Sequence, residues 1–233
     1  MVNLMRNHKA MELWEALNEF CFQNLDESNN WYNWKFNEAI IPIKVNLPQG
    51  NHYIRNLALK EELNKIWKSK SDTEKKEKLV KYYIKDWGGI RRISDKKINT
   101  YANSSSESLI GLKEKGIASW SKALVIRNPH KYAIFDARVS ISLNCLQVIF
   151  PVENKVLFPN LVSRNNTITN GQKIFKMNLQ KQSWEKVNLK TFYSDYLSLI
   201  KKVALKRNTN ISTVEMLLFA KAEELVTRMQ THG

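Results

Sequence analysis

Apolar residues recur every three or four positions along most of this chain, which is the period of an amphipathic α-helix. The spacing predicts one helix over residues 6–24 and another over residues 57–67. A third helix should run from residue 74 to about residue 87, because Gly88-Gly89 follows and two consecutive glycines end a helix. The pattern is therefore typical of a mostly helical protein.

Two further helices are predicted near the end of the chain. The first covers residues 192–206, and the second begins at Ser212, where Glu215 three residues later completes a capping box. Residues 151–190 lose the helical period and mix β-branched residues with Asn, Gly and Pro, which predicts a loop or a small hairpin insertion. Residues 40–47 partly alternate, so they form either a short strand or an extended loop.

The chain has 233 residues, 43% of them hydrophobic and seven of them Trp, which is typical of a folded globule with its own core. It contains no internal repeat and no low-complexity linker. We therefore expect one all-α domain over residues 1–233. Its parts would be a central segment at 104–147, a small irregular or β insertion at about 151–190, and C-terminal helices at 191–230.

Composition disfavours several classes of protein. No apolar run approaches the roughly 18 residues that cross a bilayer, and the N-terminus lacks the apolar core of a secretory signal. Cys21 and Cys145 form no CxxC spacing and the four His residues are scattered, so two reduced thiols are expected rather than a metal site. The prediction is a monomeric cytoplasmic protein without membrane contact, associated with the nucleoid if it is bacterial.

The net charge changes this picture, because 37 Lys and Arg residues oppose only 22 Asp and Glu residues. The resulting formal charge of +15 raises the local concentration of polyanions and accelerates encounter with them. Solubility, or the lysine-rich usage of an AT-rich genome, is the competing explanation. The excess favours nucleic acid as the partner.

The segment 108–146 reads as a helix, a tight polar turn ending at Gly116, a second helix, a short loop, and an Asp that opens a third helix. Backbone N–H groups at the start of a helix are unsatisfied and bind anions, so Gly116, Ile117 and Ala118 are candidate phosphate donors. Lys113 and Lys115 flank them. An ordinary helix–helix connection capped by glycine is the alternative.

Asp136 lies 20 residues after Gly116, and this spacing resembles the helix-hairpin-helix superfamily of DNA glycosylases. In that family an L-P-G-V-G hairpin is followed about twenty residues later by an aspartate that opens a helix and assists departure of a base. The resemblance implies a two-lobed all-α fold and hydrolysis of the N-glycosidic bond of a flipped, damaged or modified base in double-stranded DNA. Repair and defence against modified phage DNA are both compatible with it.

The chain departs from this family in three ways, which would make it an atypical member. Lys113-Glu114 replaces the Pro-Gly of the hairpin. Ala118 stands where bifunctional members carry a Schiff-base lysine, which implies a monofunctional enzyme. Lys122 lies one helical turn further, either as a displaced amine or as a phosphate-contacting or solvated lysine. No iron–sulfur cysteine set follows, so no cofactor is expected, although a monovalent cation at the hairpin would be compatible with the pattern.

Asp136 has two readings that do not exclude each other. A carboxylate near the anomeric carbon would stabilise the positive charge that builds on the deoxyribose, or orient the attacking water. Asp is also a favoured N-cap residue. Arg138, two residues later, would pair with Asp136, contact DNA or hold the loop to the core.

Aromatic and basic residues elsewhere are candidates for the base pocket. Trp87, Arg91 and Arg92 surround the Gly88-Gly89 turn, so the Trp could wedge into DNA or stack on an extruded base; a buried Trp beside a helix stop is the alternative. Trp34 is a second pocket candidate.

Two other functions remain open at this stage. A non-catalytic DNA-binding helix-hairpin-helix protein would retain the hairpin without the chemistry. An RNA-directed protein is weaker, because no RNA-module signature is present.

Overall fold

The computed structural model describes residues 11–26, 28–69, 72–178 and 184–232. Over these residues the fold is mostly helical, as predicted, with a single two-stranded sheet in which β1 (Val156–Leu157) pairs in parallel with β2 (Glu185–Lys186). A 3-10 turn covers Glu38–Ile40 and a π-helical turn covers Tyr82–Trp87. The α-helices are α1 (Leu13–Asn24), α2 (His52–Lys68), α3 (Thr73–Lys81), α4 (Asp95–Asn103), α5 (Ser106–Ile110), α6 (Ile117–Arg127), α7 (Ala137–Ile149), α8 (Asn166–Asn178), α9 (Phe192–Lys206), α10 (Ile211–Ala220) and α11 (Ala222–His232).

The helices form two sets according to their contacts. In the first set, α6 packs against α2, α3, α4, α5 and the π-helical turn. In the second, α7 packs against α1, α8, α10 and α11, while α9 packs against α1 and α10. The N-terminal ends of α6 and α7, which begin after Gly116 and Asp136, therefore belong to different sets.

Helix α7 is the centre of the second set, and even its polar side chains are buried. Each of them is hydrogen-bonded, as burial of polar groups requires. Ser142 donates to the carbonyl of Leu218 at 2.7 Å. Gln147 and Val156 exchange two bonds, at 2.7 and 2.8 Å, which fixes the strand that follows α7. These bonds fix the middle and the C-terminal part of α7 against α10 and β1.

The prediction for residues 151–190 is wrong in its main part, because this stretch contains the regular helix α8 and its short strands are parallel rather than a hairpin. Of the residues of α8 whose burial is described (166–176), only Ile168, Gly171 and Phe175 are buried. A Cβ atom on Gly171 would lie 2.9 Å from the Val226 side chain, so the helix uses a glycine to approach α11 closely. Because so few positions of the helix are buried, its sequence shows little of the hydrophobic periodicity that predicts a helix.

Smaller differences concern helix ends. Residues 40–47 form no strand in the described chain, and the predicted helix 74–87 changes from α to π geometry after Lys81. Ser212 and Glu215 do not form a capping box, because Asn210 caps α10 and accepts from the amide of Thr213 at 2.9 Å. The part of the predicted helix 6–24 before residue 11 lies outside the described residues.

Candidate functional site

A cavity of about 940 Å³ opens between the two sets of helices. Its lining comes from the π-helical turn, the hairpin and α6 on one side, and from α7, α10 and the loop before α8 on the other. Lys113 and Lys115 are exposed on the hairpin outside this lining. The cavity brings together the other ten residues predicted for the site: Trp34, Trp87, Arg91, Arg92, Gly116, Ile117, Ala118, Lys122, Asp136 and Arg138.

The hairpin turn ends at Gly116, which has the left-handed φ of 75° that glycine adopts without strain. A Cβ atom there would lie 2.6 Å from the Tyr101 hydroxyl oxygen, so the position has no room for a side chain either. The backbone amides of Gly116 and Ala118 make no hydrogen bond to any residue that the structure describes. Two backbone donors at the start of α6 are therefore free at the cavity edge, where the helix dipole favours an anion.

Glu114 sets this hairpin apart from a simple anion site. Its side chain lines the cavity, and its Oε2 atom is buried without a hydrogen-bond partner in the described chain. A carboxylate so close to the free amides opposes binding of a phosphate, whereas Lys113 and Lys115 on either side favour it. The hairpin thus carries two cations against one anion.

Asp136 caps α7 as predicted. Its Oδ1 atom accepts from the amide of Arg138 at 2.9 Å and from that of Val139 at 3.1 Å. Oδ2 makes no hydrogen bond to a described residue, and the half-buried side chain lines the cavity. One carboxylate oxygen therefore holds the helix, and the other is available to a ligand.

Lys122 is buried, so the expectation of a solvated lysine on the surface is wrong. It is only 4% exposed, and its Nζ donates to the carbonyl of Ala118 at 2.7 Å. Burial lowers the pKa of Lys122 below its usual value; Asp136 and Glu215 oppose this effect, and Lys60 adds to it. The amine thus lies within electrostatic reach of the Asp136 and Glu215 carboxylates.

Glu215 is a site residue that the sequence pattern did not reveal. It lines the cavity, is 2% exposed, and its Oε2 accepts from Nζ of Lys60 at 2.7 Å. Burial raises the pKa of Glu215, while Lys60 opposes the shift. In the sequence, Glu215 is a lone acidic residue in the apolar run of α10, and the predicted capping box gives it a purely structural role.

Aromatic side chains form one wall of the cavity, and their positions are fixed. Trp87 stacks on Tyr83 with ring centroids 4.2 Å apart, and its Nε1 donates to Oδ1 of Asn56 at 2.8 Å. Trp34 donates to the carbonyl of Trp87 at 3.1 Å and meets Phe219 edge-on at 5.2 Å. The buried Trp87 is therefore a wall residue; the wedge interpretation does not fit its position.

The cavity mouth is basic and has one apolar projection. Arg91, Arg92 and Arg164 are exposed there, and Val162 between them is 99% exposed. Arg138 does not pair with Asp136; it donates to Glu223 at 2.7 Å, so that its remaining charge at the mouth is reduced.

The described residues contain no group of three or more His, Cys, Asp and Glu side chains able to hold a metal ion. None of the described helices is long and apolar enough to cross a membrane. Comparison of the chain with protein-family models, with curated proteins and with solved structures gives no match.

Proposed function

We propose that the protein is a monofunctional DNA glycosylase that hydrolyses the N-glycosidic bond of a flipped base. The observation that carries this proposal is the position of Asp136, whose Oδ2 atom is left free at a cavity of about 940 Å³. This volume lies within the range of cavities that hold a small ligand. A carboxylate at such a position stabilises the oxocarbenium character that develops on deoxyribose as the base leaves.

The remaining residues supply the other functions that a base-flipping enzyme needs. The free amides of Gly116 and Ala118 would bind a backbone phosphate, and Arg91 and Arg92 at the mouth would contact the duplex. The aromatic wall of Trp34 and Trp87 would hold the extruded base by stacking. These parts lie around one opening, which supports a substrate bound across the mouth.

Lys122 is the second catalytic candidate, in an electrostatic role. Its Nζ donates to the carbonyl of Ala118, so we expect it to balance Asp136 and Glu215 and not to attack the sugar. Borohydride distinguishes the roles, because it reduces a lysine–sugar imine to a stable covalent adduct. The proposal predicts no such adduct. An adduct that forms in the wild type and is lost in Lys122→Ala would instead identify Lys122 as the attacking amine.

The test is excision from duplexes that carry single damaged or modified bases, including hypermodified phage-type bases. Abasic sites are revealed by alkaline cleavage, and strands should remain uncut without alkali. Excision of at least one base, lowered at least about 100-fold in Asp136→Asn, is the expected result. No excision across the panel would overturn the proposal.

A non-catalytic DNA-binding protein is the second candidate, because Asp136 also has a complete structural role as the cap of α7. In that case Asp136→Asn would change neither DNA affinity nor any biological readout, since Asn caps helices as well as Asp does.

A further inference from the structure

We propose that Glu215, held in place by Lys60, reads the flipped base and selects bases that present N–H donors on their Watson–Crick edge. This inference rests on the proposed glycosylase function and names its substrate class. A guanine-type base fits best because it presents two such donors, its N1–H and the adjacent amino group, to the carboxylate oxygen that Lys60 leaves free.

The first support is that the Lys60–Glu215 ion pair occupies only one of the two carboxylate oxygens. Lys60 and Glu215 are 1% and 2% exposed, yet only Oε2 of the carboxylate accepts from Lys60, at 2.7 Å. Oε1 makes no hydrogen bond to a described residue, and this atom is not completely buried. Since Glu215 lines the cavity, this oxygen is open to a ligand.

The second support is energetic. Burying two charges costs several kcal/mol per ion, and apolar residues of similar volume are often no less stable in such places. The neighbours of Glu215 on α10, from Val214 to Leu218, are fully buried apolar residues that would accept such a replacement. A charged pair on the inner wall of a cavity therefore points to use by a ligand.

The third support is the arrangement on α10. Phe219 follows Glu215 by four residues, so both lie on one face of the helix, and both line the cavity. Phe219 also contacts the ring of Trp34, so it belongs to the aromatic wall. A planar base stacked against that wall would direct its edge along the same face toward the carboxylate.

The selectivity follows from the chemistry of an acceptor-only group. An ionised carboxylate accepts N–H bonds and cannot donate one, so a base edge made only of acceptors would leave Oε1 unpaired and face a like charge. Sites built to hydrogen-bond a substrate group reject analogues that lack it strongly. Asp136, which also lines the cavity, is assigned to the sugar, and Lys122 donates hydrogen bonds and does not accept them. The unpaired Oε2 of Glu114 belongs to the hairpin, where the proposed phosphate contact is made, so Glu215 is the acceptor assigned to the base edge.

The experiment compares excision of lesions that keep a donor edge with excision of lesions that lack one. Duplexes carry 8-oxoguanine, hypoxanthine or uracil in one group, and 1,N6-ethenoadenine or 3,N4-ethenocytosine in the other. The wild type should excise its best donor-edge base about 100-fold faster than either etheno base. Equal excision of both groups would overturn the inference without any variant.

Variants then test the residue itself. Glu215→Gln, alone and combined with Lys60→Met to remove the unpaired cation, should lower excision of donor-edge bases and abolish the preference. Glu62→Gln combined with Lys65→Met removes an exposed ion pair of α2 and should change neither. A preference that survives in a folded Glu215 variant would overturn the inference alone, whereas absence of excision from every duplex overturns the proposed function.

Discussion

Gly88 leaves the space through which the side chain of Lys122 passes. A Cβ atom at Gly88 would lie 2.6 Å from Cε of Lys122 and 2.8 Å from the carbonyl oxygen of Ile84. Both residues line the cavity, so the glycine after the π-helical turn does more than end a helix. It lets a long cationic side chain run beneath the aromatic wall.

Gly88→Ala should therefore destabilise the fold by about 1–3 kcal/mol, as overpacking does. Lys122→Ala in the same chain should recover part of this loss, because it removes one of the two contacts. Urea unfolding of both single variants and the double variant measures the coupling. Losses that add within about 0.5 kcal/mol would show that the two residues do not interact.

Asp136→Asn separates capping from chemistry. The amide oxygen of Asn can accept the two backbone bonds now made by Oδ1, so the free energy of unfolding should change by less than about 1 kcal/mol. Excision should fall at least about 100-fold. Asp72→Asn is the matched control, because Asp72 caps α3 by the same kind of bond to the amide of Lys75. Equal activities in the two variants would contradict the proposal.

Lys113→Gly should make the protein more stable. Lys113 adopts a left-handed φ of 56°, which costs a residue with a Cβ atom about 1–2 kcal/mol. Lys115→Gly removes the same charge from the same exposed hairpin without relieving such strain, so it should be neutral or destabilising. Both variants should weaken DNA binding alike. Thermal unfolding and a binding titration provide the two readouts; a less stable Lys113→Gly would refute the expectation.

The proposed function assigns to Val162 the filling of the gap that a flipped base leaves in the duplex. It is 99% exposed at the mouth, where Arg91, Arg92 and Arg164 can anchor the backbone. Val162→Ala should lower excision from duplex DNA about tenfold and leave excision from single strands unchanged. Leu205→Ala, which alters a 73% exposed side chain on α9, is the control. Equal losses on both substrates would rule out this role.

Cys21 should make stability decrease at high pH. Burial raises the pKa of its thiol to about 12, although Arg207 opposes the shift. In the unfolded chain the thiol loses its proton above about pH 8.5. The unfolded state therefore binds fewer protons between these values, and the free energy of unfolding falls as pH rises through this range. Urea unfolding at pH 8 and 10 should show a smaller decrease in the free energy of unfolding for Cys21→Ala than for the wild type. An identical decrease in both proteins would argue against this role of Cys21.

The sequence predicts the turn at Gly116 and the cap at Asp136 because the signals for both are local. A left-handed glycine before α6 and a capping Asp before α7 leave a recognisable residue at a fixed place in the chain. Gly116 shapes the backbone at its own position, and the Asp136 carboxylate accepts from amides only two and three residues away. Only α6 and a short loop separate the two positions in the chain, and both residues line the cavity.

The parts that the sequence does not predict depend on distant contacts. Helix α8 is recognisable only when Gly171 is seen against Val226, and the π-helical turn that places the predicted pocket residue Trp87 on the cavity wall has no residue signature. The role of Glu215 is set by Lys60 on another helix. No local pattern contains this information.

The separation of Lys60 and Glu215 also constrains the order of folding. The two residues are 155 positions apart, so the first half of the chain is synthesised long before the carboxylate that neutralises Lys60 exists. Until α10 arrives, the inner face of α2 carries an uncompensated cation that favours hydration over docking. Completion of the cavity is therefore a late, long-range event, and a nascent chain would acquire its binding site only with its final helices.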